Sequence, residues 1–354
     1  MKTFLVTGGA GFIGSNFINY MLEKHSDIKL INLDKLTYAG NLENLKSVEK
    51  NSNYRFVQGD ICDDKLVGEL FKENHIDIVV NFAAESHVDR SILDPQIFIK
   101  TNIQGTAVLL NAAKSAWVTA DGFKDGVKYL QVSTDEVYGS LGENGQFSEA
   151  TPLDPHSIYS ASKAGADLLV KAYYHTYKMP VFITRSSNNY GSFQFPEKLI
   201  PLTINNCLNK RLIPVYGDGM NIRDWLYVKD NCKAIEMILN KGRLGQIYNI
   251  GGHNERTNLN IVKTVIAYLH DNFDPEIDEN LIAYVEDRKG HDRRYSVDTS
   301  KVTDEIGWHP ETMLNNGIKM TIKWYLENKD WMDNAAGSEY QKYYENMYKI
   351  SSNI

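Results

Sequence analysis

The chain predicts an α/β fold, a doubly wound parallel sheet carrying a smaller C-terminal lobe, on three observations. Short β-rich runs alternate with longer helical stretches through the first half of the 354 residues, the pattern of βαβ units whose sheet is covered on both faces. A glycine-rich turn joins the first run to the first helix. Beyond about residue 190, turn-rich pieces such as "PVYGDG" and "NIGGHNE" separate shorter elements. The expected division is residues 1–190 for the sheet domain and 191–354 mainly for a substrate-binding lobe, with some later segments returning to the sheet.

The expected strands are Thr3–Thr7, Ile28–Leu33, Arg55–Gln58, Ile78–Phe82, Tyr129–Val132 and Val181–Thr184. Ligands of such sheets sit beyond the carboxyl ends of the strands, so the residues that follow each run are the candidates for function.

After the first strand comes "TGGAGFIG", in which Gly8, Gly11 and Gly14 let the backbone approach a pyrophosphate at the N-terminus of the helix that follows. The second strand leads to Asp34, twenty residues past Gly14, where a carboxylate accepts from ribose hydroxyls. Strand, glycine turn, helix and acid in this order predict a Rossmann-like dinucleotide site. A carboxylate repels a 2′-phosphate, so NAD is favoured over NADP, although Lys35 stands beside it. The third strand ends in "GDI", offering Asp60 and Ile61 to the adenine end, and the fourth in "NFAAES", where small Ala83 and Ala84 let the backbone pass close to the cofactor.

The fifth strand runs into "QVSTDEVYGS", which places Thr134, Asp135 and Glu136 on the rim that carries the cofactor. Tyr159 and Lys163 in "YSASK" are four apart and share one helix face. A free tyrosine titrates near ~10, but a nearby ammonium and a positive nicotinamide ring favour its phenolate, making Tyr159 an acceptor for an alcohol's proton. Hydride transfer alone needs only the tyrosine and a hydroxyl such as Thr134. Two further carboxylates suggest a second step, in which one proton leaves carbon and another is given to a departing hydroxyl. Taken singly, the pair on a helix and the acids after a strand also read as an ordinary exposed face and a solvated turn.

The formal charge of −7, with 42% hydrophobic and 23% charged residues, argues against nucleic acid or an anionic membrane as the main partner. Cys62, Cys207 and Cys232 form no metal-binding pattern and suit a reducing compartment. No apolar run approaches the roughly 20 residues a bilayer requires. The expectation is a cytoplasmic protein without metal.

Together "TGGAGFIG", "FAAESHVDRS", "STDEVYG", "YSASK", "SNNYG", "FPEKLIP", "IRDWLYV", "YNIGGHNE" and "GHDRRY" resemble the dTDP-glucose 4,6-dehydratases, within the extended short-chain dehydrogenases. The glycine turn and the tyrosine-lysine pair belong to the whole superfamily, whereas "STDEVYG" with "NNYGSFQFPEKLIP" is far more specific.

The resemblance implies conversion of dTDP-glucose to dTDP-4-keto-6-deoxyglucose and water, for deoxysugars such as dTDP-rhamnose, with NAD regenerated in each turnover. By that analogy Tyr159 takes the 4-hydroxyl proton, Lys163 lowers its pKa and Thr134 holds the oxygen that becomes a carbonyl. Glu136 then removes the C5 proton while a protonated Asp135 gives its proton to the departing 6-hydroxyl. The resemblance adds Phe12, Ile13, Thr37, Ser86, Thr101 and Asn189 to the cofactor contacts. For the substrate it implies Ser86, His87, Thr134, Asn188, Glu197, Lys198, Leu199, Pro214, Tyr216, Arg223, Asn258, Arg288, His291 and Tyr340. Arginine suits the diphosphate because its fork donates paired hydrogen bonds, though Arg223 beside Asp224 also reads as a surface ion pair. The resemblance further implies a homodimer, through the helix starting near Asn102 and the helix carrying Tyr159. A C4-epimerase or a dehydratase for another nucleotide is the neighbouring alternative, and a non-catalytic NAD-sensing regulator the remote one. An epimerase needs no proton pair, so Asp135 and Glu136 argue against it.

Overall fold

In the computed structural model, which describes residues 1–337 and Tyr344, seven strands form an all-parallel central sheet. They are β1 (Lys2–Thr7), β2 (Ile28–Asp34), β3 (Tyr54–Gln58), β4 (Ile78–Asn81), β5 (Lys128–Thr134), β6 (Val181–Ser186) and β7 (Ile247–Ile250), in the order β7-β6-β5-β4-β1-β2-β3. All six expected strands are present, and β5 extends to Thr134. The seventh, "IYNI", escapes sequence reading because four residues show no alternation and the glycines after it read as a turn.

Side chains alternate between the two faces of the sheet. Val6, Leu30, Val80, Leu130 and Phe182 pack toward the helices Phe12–Lys24 and Val228–Lys241. Leu5, Ile31, Val79, Tyr129 and Ile183 pack toward Asp64–Asn74, Thr106–Trp117 and Ile158–Tyr177. The helix Val228–Lys241, β7 and the helix Ser300–Ile306 share the sheet's core although they follow residue 190 in the chain. A separate core holds Tyr190, Ile200, Trp225, Val262, Ile318 and Trp331, built from the later segments.

The strand order reverses beside β1, flanked by β2 on one side and β4 on the other; this opens a crevice at the strands' carboxyl ends. The helix Ile158–Tyr177 is aimed into that crevice by a capping box. Ser160 N donates to Ser157 Oγ at 3.0 Å and Ser157 N donates to Ser160 Oγ at 3.1 Å, which fixes the first turn and with it Tyr159. The expected helix near Asn102 begins as a π-helical stretch, Ile99–Gly105, before the α-helix Thr106–Trp117.

Candidate active site

Two adjoining cavities lie along the crevice and share Ser86, Gln194, Glu197 and Lys198 in their walls. The first is built on the glycine turn. Gly8 has φ +68°, and a Cβ there would lie 2.6 Å from Ala83 N; a Cβ at Gly14 would lie 2.3 Å from Gly8 O. Only glycine permits this packing of backbone on backbone. The resulting cradle lies at the N-terminus of Phe12–Lys24, which favours an anion.

Asp34 is pinned at the end of β2. Its Oδ2 accepts from Ala10 N and its Oδ1 from Leu36 N, both at 2.8 Å. Lys35 is drawn to Asp60 at 2.9 Å, so its ammonium is already paired. Gly11, Phe12, Ile13, Thr37, Ile61, Ala83, Ala84 and Thr101 line this cavity together with Tyr159 and Lys163. These residues fit a dinucleotide carrying a free ribose diol. Asn189 does not line it: its amide donates back to Ser186 Oγ at 3.2 Å and Ser187 O at 2.9 Å, and the residue lies on the second cavity. Sequence reading also missed Gly59 and Ser133, which the strand-end rule points to, and Gln194 and Phe195, for which the sequence carries no signal.

Thr134 ends β5 and opens a short 3-10 turn, Asp135–Tyr138. Its hydroxyl accepts from Glu136 N and donates to Asp135 Oδ1, each at 3.2 Å. One side chain therefore orients both acids. Asp135 is 1% exposed and its Oδ2 has no partner. Burial, then the charges of Glu136 and Asp224, push its carboxyl well above the usual carboxylate range, against the pull of Arg223 and of the hydrogen bond from Thr134. Glu136 lines the second cavity. Burial raises its pKa as well, but Arg223, Lys198 and Arg288 oppose the shift. Both carboxyls are therefore shifted upward, and three cations oppose the shift at Glu136. Thr134 and Asp135 are buried, and neither is among the residues that line the two cavities.

Lys163 Nζ donates to Val132 O at 2.7 Å. Burial pushes the ammonium down to about 8 against the attraction of Asp167. Burial, then Glu136 and Asp135, drive the Tyr159 phenol far above its ordinary value, and the hydrogen bond with Thr134 only partly opposes this.

His87, Asn188, Leu199, Pro214, Tyr216, Arg223, Asn258, Arg288 and His291 line the second cavity with Ser86, Glu197 and Lys198. Arg223 is not paired with Asp224, whose carboxylate accepts from Gly252 N and Asn254 N, both at 2.7 Å. It is held instead by Ile222 O at 2.8 Å and Asp292 O at 3.0 Å, and lies 4.3 Å from the centre of the Tyr295 ring. Burial, then Lys198, Arg288 and Arg90, hold His87 well below the usual histidine range, so it is neutral. Ser157, Trp225, Asp292 and Tyr295 also line this wall and were not expected. Tyr340 lies outside the described residues. Among the described residues no cluster of metal-ligating side chains occurs, and no helix is long and apolar enough to cross a membrane.

The family model for GDP-mannose 4,6 dehydratase matches residues 5–321. A dTDP-glucose 4,6-dehydratase of Xanthomonas campestris pv. campestris is 52% identical over 346 residues, covering 96% of this chain and 98% of the relative. The crystal structure of the dTDP-glucose 4,6-dehydratase from Bacillus anthracis, in complex with NAD, superposes with a TM-score of 0.85 at 46% identity, covering 95% of this chain and 100% of that one. Its counterpart from Streptomyces venezuelae, also with NAD bound, gives 0.86 at 45% identity over 94% of this chain and 99% of that one.

Proposed function

We infer the reaction from one premise: the chain belongs to the dTDP-glucose 4,6-dehydratase family. It converts dTDP-glucose to dTDP-4-keto-6-deoxyglucose and water with NAD as cofactor, by oxidation at C4, elimination across C5 and C6 and return of hydride to C6. The product serves deoxysugar biosynthesis.

The geometry above supports the following residue roles. Tyr159 takes the proton of the 4-hydroxyl, and Thr134, at the end of β5, holds the oxygen that becomes the carbonyl. Lys163 locks the tyrosine-bearing helix to β5 through Val132 O. Bound NAD accepts the hydride from C4, returns it to C6 and brings the positive charge that favours a Tyr159 phenolate. Once C4 is a ketone, the C5 proton is acidified and Glu136 removes it. Asp135 gives its proton to the 6-hydroxyl, which leaves as water, and a proton returns to C5 as the hydride reaches C6. The observation that carries this division is the buried, unpartnered Oδ2 of Asp135 next to Glu136, which lines the second cavity together with Arg223, Lys198 and Arg288. Arg223, Arg288 and Lys198 take the diphosphate.

A homodimer in the cytoplasm is part of the same proposal. It is supported by exposed Ile92, Leu93, Ile99, Ile158 and Leu168 on the helices around Asn102 and Tyr159.

The test is incubation of the NAD-loaded protein with dTDP-, UDP-, CDP- and GDP-glucose, reading the keto sugar by its absorbance in alkali. Keto product from dTDP-glucose, faster than from the other three, is expected. A C4 epimer without keto product contradicts the reading.

A further inference from the structure

Tyr38 lies in the loop between β2 and the 3-10 turn Leu42–Leu45. Both ends of this loop are anchored, since Leu36 N donates to Asp34 Oδ1 at 2.8 Å and Asn41 N donates to Ala10 O at 3.0 Å. Lys35, Thr37, Ala39 and Gly40 line the cofactor cavity, whereas Tyr38 does not. The same cavity is bounded by Gln194, Phe195, Glu197 and Lys198 from the later part of the chain. Tyr325 pins that segment, its hydroxyl donating to Gln194 O at 2.6 Å.

The two segments meet at Tyr38. Its hydroxyl donates to Glu197 Oε1 at 3.0 Å, and its ring stands edge-on to Phe195 with centres 5.6 Å apart. The Arg90 guanidinium lies 3.7 Å from the centre of the same ring, and Arg90 Nε donates to Glu197 Oε2 at 3.4 Å. The Glu197 side chain is 2% exposed. A carboxylate buried so deeply depends on its partners, and among the described residues only the Tyr38 hydroxyl donates a hydrogen bond to Oε1. Burial, then the charge of Glu197, hold the phenol well above its ordinary value, so it remains a donor. The tyrosine is thus gripped on its ring by a cation and at its tip by a carboxylate, and parting the segments strips a buried charge of a hydrogen bond.

We propose that Tyr38 is a positioning residue that retains NAD: by joining the loop after β2 to the segment 194–198 it closes the cofactor cavity, and bound NAD leaves only when this bridge parts. The proposal rests on the reading of that cavity as the NAD site. Retention has a chemical purpose in the reaction above. The hydride taken from C4 must come back to C6 of the same sugar, and a reduced cofactor lost between the two transfers strands the sugar as a ketone.

The test is exchange of bound NAD for labelled NAD in wild type, Tyr38→Phe, Glu197→Leu and the double variant, with C4 oxidation followed in a single turnover at saturating NAD. Tyr38→Phe keeps the ring beside Arg90 and Phe195 and removes only the donor. It is expected to release NAD faster by roughly tenfold or more and to oxidise C4 at close to the wild-type rate. In the Glu197→Leu background, which has no acceptor, it is expected to add little. If Tyr38→Phe exchanges NAD like wild type, or adds as much without Glu197 as with it, the bridge is not what retains the cofactor. An equal loss in C4 oxidation shows general damage to the site and overturns the proposal too. If Gly14→Ala, in the glycine cradle, leaves NAD exchange unchanged, the reading of the cavity itself fails, and the proposal with it.

Discussion

The Lys163 ammonium donates to the carbonyl of Val132 at 2.7 Å, two residues before the threonine that orients both acids. The helix carrying Tyr159 and the strand carrying Thr134, Asp135 and Glu136 are thus joined at one buried point. Proton acceptor, donor and base keep a common frame, and the lysine's contribution is registry with β5.

Tyr159→Phe removes the hydroxyl that accepts the first proton and leaves the ring in its contact with Phe98, at 6.4 Å between centres. C4 oxidation is expected to fall by about 10²–10⁴-fold, with dTDP still bound. Rapid mixing with dTDP-glucose, following the absorbance of reduced nicotinamide, checks this. Reduction at the wild-type rate places the base elsewhere.

Asp135→Asn tests the buried neutral acid through stability. Burial raises the folded pKa of Asp135, so the folded chain keeps its proton to higher pH than the unfolded chain, whose carboxyl titrates near ~3.9. Its contribution is complete below that unfolded value and is lost as pH rises toward the folded pKa. The asparagine variant has no such proton to lose. It is expected to melt at a higher temperature than wild type near about pH 8, with the gap narrowing toward about pH 5. A gap that does not change with pH would show an Asp135 unperturbed by burial.

Gly14→Ala places a methyl where Gly8 O lies 2.3 Å away. Either the turn or the helix must move, and the anion cradle opens. NAD retention is expected to weaken by roughly tenfold or more, measured as cofactor released from the purified protein on denaturation. Full cofactor content in the variant means that the turn tolerates the displacement.

What the sequence made legible is what short stretches determine. Gly8, Gly14 and Asp34 announce a cradle because strand, turn and helix follow one another directly, and Thr134 to Glu136 announce a site because they end a buried strand. β7 stayed hidden because four residues show no period. Contacts between distant segments were equally invisible. Asp89 and Arg288 are 199 positions apart, and nothing local marks either as the other's partner. The place of Asn189 on the second cavity, its amide turned back on Ser186 and Ser187, is a choice made by loop geometry. The carbonyl that holds the Lys163 ammonium was likewise invisible, since only the tertiary fold brings it there.

The division of labour between the two acids is tested most directly by a single turnover of Glu136→Gln with dTDP-glucose. Glutamine keeps the size of the side chain and the turn that Thr134 caps, but cannot take the C5 proton. Reduced nicotinamide is expected to form at close to the wild-type rate and then persist, with keto-6-deoxy product falling by about 10²-fold or more. If the variant instead completes the turnover without accumulating reduced cofactor, Glu136 is not the base, and the assignment of elimination to this pair is wrong.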